Sequence, residues 1–80
     1  MKTWFTYIVR CVDNSLYTGI SIDVEKRIKL HNSGLGAAYT RSHKPVTLVW
    51  KEKAKSSTAA RKREAQIKKL TKSMKEDLIA

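Results

Sequence analysis

Two runs rich in aromatic and β-branched residues, Trp4 to Val12 and Leu16 to Ile20, flank Asp13-Asn14-Ser15. This pattern commits the start of the chain to a β-hairpin. Asp, Asn and Ser side chains bond to nearby backbone and tolerate unusual angles, so the three form its turn. What the hairpin can carry depends on parity. If Val12 pairs with Leu16 across a three-residue loop, odd residues face odd residues, and Tyr7, Val9, Cys11, Tyr17, Gly19 and Ser21 share one face. A loop one residue longer or shorter would send Tyr7 and Tyr17 to opposite faces. Gly19 leaves room beside the aromatics for a close approach of backbone or ligand.

Asp23 then offers an N-cap for a helix from Val24 to about Asn32, with Glu25 in its first turn and Gly34 just past its end. Val24 and Ile28 define its buried stripe. Arg27 and His31, four apart, lie beside that stripe, at the margin where helix meets sheet. Residues 33–45 are polar, contain two glycines and end at Pro45, which predicts a loop of about a dozen residues. Val46 to Trp50 reads as a third strand. Ser56-Ser57-Thr58 caps a helix from about Ala59 to Leu70, with Ala60, Ile67 and Leu70 inside and Glu64 at the stripe's edge. Thr71 or Ser73 starts a last short helix, Ser73 with Glu76 fitting a capping box. The expected fold is α+β: a three-stranded antiparallel sheet flanked by helices, in the order β-β-α-β-α-α, as one domain over residues 1–80.

The chain has 17 Lys+Arg against 7 Asp+Glu, a formal net charge of +10. Residues 51–75 hold ten of the basic residues against only Glu52 and Glu64. A charge run can be a solvated helix face, but a balance so basic in so short a chain points to a polyanion, above all nucleic acid. A membrane is the weaker expectation, because no segment approaches the roughly 20 apolar residues of a span. Cys11 is the single cysteine. That excludes a disulfide framework within the chain and a cysteine-based zinc site, and it suits a reducing cytoplasm.

Two phenols, a guanidinium and an imidazole in a basic chain suit phosphodiester chemistry, which needs an activated water and charge stabilisation at phosphorus. Arginine matches a phosphate with a planar, permanently charged fork of donors. A tyrosine acts as a base only if its pKa falls well below about 10. Mg²⁺ keeps most of its waters and is held by one or two carboxylates, for which Glu64 is the candidate.

These residues carry a resemblance. Phe5-Thr6-Tyr7, Tyr17-Thr18-Gly19, Glu25-Lys26-Arg27 followed by His31-Asn32-Ser33-Gly34, Tyr39-Thr40-Arg41 with Pro45, and Ala60-Arg61-Lys62-Arg63-Glu64 occur in order. Together they make the chain resemble a minimal nuclease domain of the GIY-YIG superfamily over roughly residues 4–79, most like its small single-domain bacterial branch. It is also similar to the nuclease half of eukaryotic branched-DNA endonucleases. The resemblance implies that Tyr17 activates or orients the attacking water, with Tyr7 positioning the phosphate or sharing that role. It implies that Arg27 stabilises the phosphorane, that His31 relays a proton or holds the tyrosine network, and that Glu64 binds Mg²⁺ or Mn²⁺. Arg41, Lys44, Arg61 and Lys68 are the expected contacts to DNA, branched or single-stranded. Three departures stand out. Phe5 replaces the first-motif glycine, Ile20 and Ser21 follow Gly19 where several relatives place a lysine or other polar residue, and the asparagine that some relatives carry after the metal helix is not identifiable.

Two other functions stay open at this level. One is a basic nucleic-acid-binding module without turnover. The other is a nuclease subunit that needs a protein partner, as the eukaryotic relatives do.

Overall fold

The computed structural model describes residues 2–80. Strands β1 (Trp4–Arg10), β2 (Leu16–Ser21) and β3 (Thr47–Ala54) form one antiparallel sheet in the order β2-β1-β3. The helices are α1 (Val24–Ser33), α2 (Ala38–Ser42), α3 (Ser57–Lys68) and α4 (Lys72–Ile79). The expected three-stranded sheet flanked by helices is therefore found, with α2 as an addition.

The hairpin keeps the expected parity by a different register. Arg10, not Val12, pairs with Leu16, and Tyr7 pairs with Gly19. The strand stops early because the turn begins early. Cys11 N–H donates to the Ser15 carbonyl at 2.8 Å, and Asn14 takes a left-handed φ of 71°. Asp13 holds the turn by accepting from both the backbone N–H and the hydroxyl of Ser15. Val12 is thereby exposed, not part of a strand. The shift of two residues leaves every odd side chain on its expected face.

On that face, Tyr7, Val9 and Cys11 pack with Val24 and Val46, while Phe5, Tyr17, Ile28 and Leu48 lie around them. On the opposite face, Thr6 donates its hydroxyl to the Ala60 carbonyl at 3.0 Å and seats α3 on the sheet. Ile8, Ala60 and Ile67 are fully buried. Burying an aliphatic side chain the size of isoleucine contributes roughly 1.5–3 kcal/mol. β3 contributes to both faces because its pairing with β1 shifts between Ile8 and Val9. Leu48 opposes Val9 on one side and Trp50 opposes Ile8 on the other, with Val49 as the extra residue. Trp4 and Trp50 are only half-buried, and the Arg63 guanidinium lies 5.7 Å from the Trp50 ring.

The caps agree with the sequence. Asp23 accepts from Lys26 N–H, Gly34 ends α1 at φ 85°, Ser56 accepts from Ala59 N–H, and Thr71 accepts from Met74 N–H. Of the two proposed starts for the last helix, Thr71 is the one used. Glu76 joins no capping box. Its carboxylate instead receives both terminal nitrogens of Arg10, at 2.6 and 2.8 Å, which straps α4 to β1. The stretch expected to be a single loop contains α2, whose leading Ala38 and lack of an internal proline permit a helical turn. Asn32 pins the approach to β3 by accepting from Val46 N–H at 2.6 Å and donating to the Val46 carbonyl at 3.1 Å. Among the described residues, no helix is long and apolar enough to cross a membrane.

Candidate active site

Tyr7 reaches across β2 at Gly19. A Cβ placed on Gly19 would stand 2.6 Å from the Tyr7 hydroxyl oxygen, so only glycine lets the phenol lie there. Tyr7 is 1% exposed, and its hydroxyl sits 2.8 Å from His31 Nε2. His31, in the last turn of α1, is fully buried, deeper than the margin expected for it.

The protons of this pair can be assigned from its surroundings. His31 Nδ1 lies 2.7 Å from Thr40 Oγ1 on α2. The single Thr40 hydroxyl proton is directed to the Ala37 carbonyl at 3.0 Å. Thr40 can then only accept from the ring, so Nδ1 carries a proton. Burial, and then the Arg27 charge, push the His31 pKa below its ordinary value, so the ring is neutral near pH 7. Its Nε2 is consequently a lone pair, and Tyr7 donates to it. Gly36 is close enough to His31 that a side chain there would collide with the ring.

Burial raises the Tyr7 pKa. The Arg27 guanidinium beside it opposes that rise, while Tyr17 and Glu64 add to it. Tyr7 is therefore protonated in the free protein. Tyr17 packs edge-on against His31, with ring centroids 5.5 Å apart. Its other neighbours are Tyr39, stacked at 5.9 Å, and the Lys68 ammonium, 6.0 Å from the ring centre. Arg27 has its buried Nε without a hydrogen-bond partner. Such a donor is costly to leave unpaired, and it suits an incoming anion.

Glu64 comes from the other layer. It sits on α3, which packs on the opposite face of the sheet, yet its charge is felt at Tyr7. From the same helix, the Lys68 ammonium reaches the Tyr17 ring. The Glu64 side chain is 24% exposed and pairs with Lys68 at 3.4 Å. Among the described residues, no three His, Cys, Asp or Glu side chains gather as a metal cage. One half-buried carboxylate whose charge is felt at Tyr7 does fit Mg²⁺ or Mn²⁺, ions that keep waters and share their ligands with substrate phosphates.

The structure thus brings Tyr7, Tyr17, Arg27 and His31 together and sets Glu64 within their field. Arg61 and Lys68 are exposed on the same helix as Glu64. Arg41 and Lys44 gather elsewhere. Arg41 donates to the Gly34 carbonyl at 3.2 Å, and the Lys44 ammonium lies against the same glycine. Sequence reasoning gave Thr40 no role, because nothing in a polar stretch marks which hydroxyl will meet a histidine nine residues earlier.

Paired tyrosines on one sheet face, an arginine and a histidine from the helix packed on it, and a glutamate whose charge is felt there define a small nuclease-type domain. The chain belongs to the GIY-YIG family: it matches the GIY-YIG catalytic domain over residues 3–77. This family is a nuclease superfamily. The chain is similar to small bacterial proteins designated UPF0213. It is 50% identical to one from Clostridium perfringens over 95% of this chain and 82% of that one. It is 46% identical to one from Staphylococcus haemolyticus over 99% of this chain and 96% of the other. Among solved structures, the solution structure of the UPF0213 protein from Bacillus halodurans has a TM-score of 0.61 at 42% identity, covering 96% of this chain and 82% of that one. A protein from E. faecalis gives 0.63 at 41%, covering 98% and 84%.

Proposed function

We propose that this chain is a divalent-metal-dependent endonuclease that hydrolyses DNA phosphodiester bonds and responds to strand structure more than to base sequence. The observation that carries this reading is the hydrogen-bonded run from Tyr7 through His31 to Thr40, set beside Tyr17 and Arg27. A divalent ion held by Glu64 and the substrate phosphate would supply charge stabilisation at the reacting phosphorus. Tyr17 orients the attacking water. The water oxygen bonds to phosphorus as the P–O bond to the leaving sugar oxygen breaks. The water's proton passes to the Tyr7 oxygen while the Tyr7 proton moves to His31 Nε2, and solvent protonates the leaving oxygen.

Arg27 has two parts in this. Its guanidinium takes the negative charge building on the phosphoryl oxygens. In the free protein its charge also helps keep His31 neutral. A phosphate paired with Arg27 offsets that charge and makes an imidazolium at His31 easier to form. Recognition rests on phosphates and on strand geometry, because the basic residues named here read charge and not base edges.

The test is cleavage of labelled single-stranded, duplex and branched DNA with Mg²⁺ or Mn²⁺, with binding measured on the same samples. The native chain should cut, and Tyr17→Phe and Glu64→Ala should abolish cutting while binding survives. Tight binding of every substrate without cutting would replace this reading with a binding module.

A further inference from the structure

β2 is one of the two edge strands of the sheet, and a cleft opens at each of its ends. At the Leu16 end the cleft is lined by Tyr17, Thr18, Tyr39, Lys68 and Lys75. At the Ser21 end it is lined by Trp4, Ile20, Arg27 and Arg61. Between the two lies Gly19, with the Tyr7 hydroxyl above it.

α3 repeats this order. Arg61, Glu64 and Lys68 are three and four residues apart and so share one helix face. Arg61 lines one cleft and Lys68 the other, while Glu64 lies between them in sequence. The rise from 61 to 68 is about 10 Å. That length accommodates a reacting phosphate with one neighbouring phosphate on each side. The charges along the edge therefore run cationic, acidic, cationic, with the acid where an ion would meet the reacting phosphate.

We infer that the DNA strand being cut lies lengthwise along the edge of β2, with its two flanking phosphates held by Arg61 at one end and by Lys68 and Lys75 at the other. This rests on the nuclease reading and adds a path for the strand, including Lys75 of α4, which that reading does not require. The competing view is that these are ordinary solvated side chains. Against it, Arg61 and Lys75 form no ion pair among the described residues, although both border clefts beside the tyrosines. Lys75 also sits one residue from Glu76, which Arg10 holds to the sheet, so its helix is fixed in place.

The experiment is anisotropy titration of a fluorescein-labelled branched oligodeoxynucleotide at several salt concentrations. Glu64→Gln serves as the background, so that no cutting intervenes. Arg61→Ala and Lys75→Ala are compared with Lys29→Ala, an exposed lysine on α1. Each track variant should flatten the slope of log affinity against log salt by about one, the double variant by about two, and Lys29→Ala by nothing. Unchanged slopes in the track variants, or an equal loss in Lys29→Ala, would overturn the path. Steady-state cleavage without the Glu64 substitution separates the two claims. If the native chain cuts and KM rises in Arg61→Ala and Lys75→Ala by more than kcat falls, both stand. Cutting with unchanged KM overturns the path alone. No cutting by the native chain overturns the nuclease reading, and the salt slopes still decide the path.

Discussion

The Tyr7 hydroxyl donates to His31 Nε2 across 2.8 Å inside the fold, and Thr40 on the far side of the ring leaves Nε2 as the accepting nitrogen. Thr40 therefore positions the proton acceptor without touching substrate. Thr40→Val keeps the side-chain shape and removes the oxygen, leaving His31 Nδ1–H buried without a partner. The expected destabilisation is about 1–3 kcal/mol, measured by urea unfolding, and Thr40→Ser should recover most of it. Nitrogen chemical shifts of His31 should show the ring losing its single tautomer in the valine variant. An unchanged tautomer there would remove Thr40 from the relay.

The state of His31 sets a pH dependence. Its unfolded pKa is about 6.5, and burial followed by the Arg27 charge lowers it in the fold. Below pH 6.5, approximately, the unfolded chain binds a proton that the folded chain resists. This contribution to stability is complete above that pH and is lost as the pH falls from there towards the folded pKa. The urea midpoint should drop between pH 7.5 and 5.5, roughly the span around the unfolded value, and less so in His31→Gln. Cleavage should show an acid limb with its midpoint below about 6.5, because a protonated ring cannot accept from Tyr7.

Gly19→Ala acts on the site through the position of one phenol. The new Cβ would lie 2.6 Å from the Tyr7 oxygen and 2.7 Å from Cζ, so the phenol must swing away. A displacement on the order of 1 Å at a reacting group can cost about a hundredfold in rate. Cleavage should fall by about that factor, the urea midpoint should drop by the roughly 1–3 kcal/mol that overpacking a core costs, and DNA binding should change little. Native-like cleavage in this variant would show that the phenol need not lie over position 19.

Arg10→Ala should loosen α4 selectively. The Arg10–Glu76 pair is the strap described above, and no α4 side chain is fully buried. Hydrogen exchange should speed up in residues 72–79 and stay unchanged in 57–68. The Arg10 guanidinium also holds the Glu76 carboxyl below its ordinary pKa. The strap is therefore intact above the usual carboxylate range and weakens as acid protonates Glu76.

Most of the site's ingredients were legible because they are local. Hairpin parity comes from side-chain alternation, so Tyr7 and Tyr17 could be placed together even though the turn closes two residues earlier than read. Asp23, Ser56, Thr71 and Gly34 announce helix ends through their own side chains or their lack of one. The illegible parts depend on contacts distant in sequence. The pairing of Arg10 with Glu76 spans 66 positions, and the helix that carries Thr40 is too short to show a periodicity. The approach of Glu64 to Tyr7 joins residues 57 positions apart, and it depends on how α3 seats on the sheet.

The slipped pairing between Ile8 and Val9 has a consequence for how little chain is needed. A regular strand turns alternate residues to alternate sides, so Leu48 and Trp50 would both have served the same layer. With Val49 as a spacer, they are divided between the two. One short strand thus helps to close both halves of the interior, and the opposite edge is left open along its length. Deleting Val49 would ask the strand to choose a side, and the layer it abandoned would lose one of the two large apolar side chains from β3.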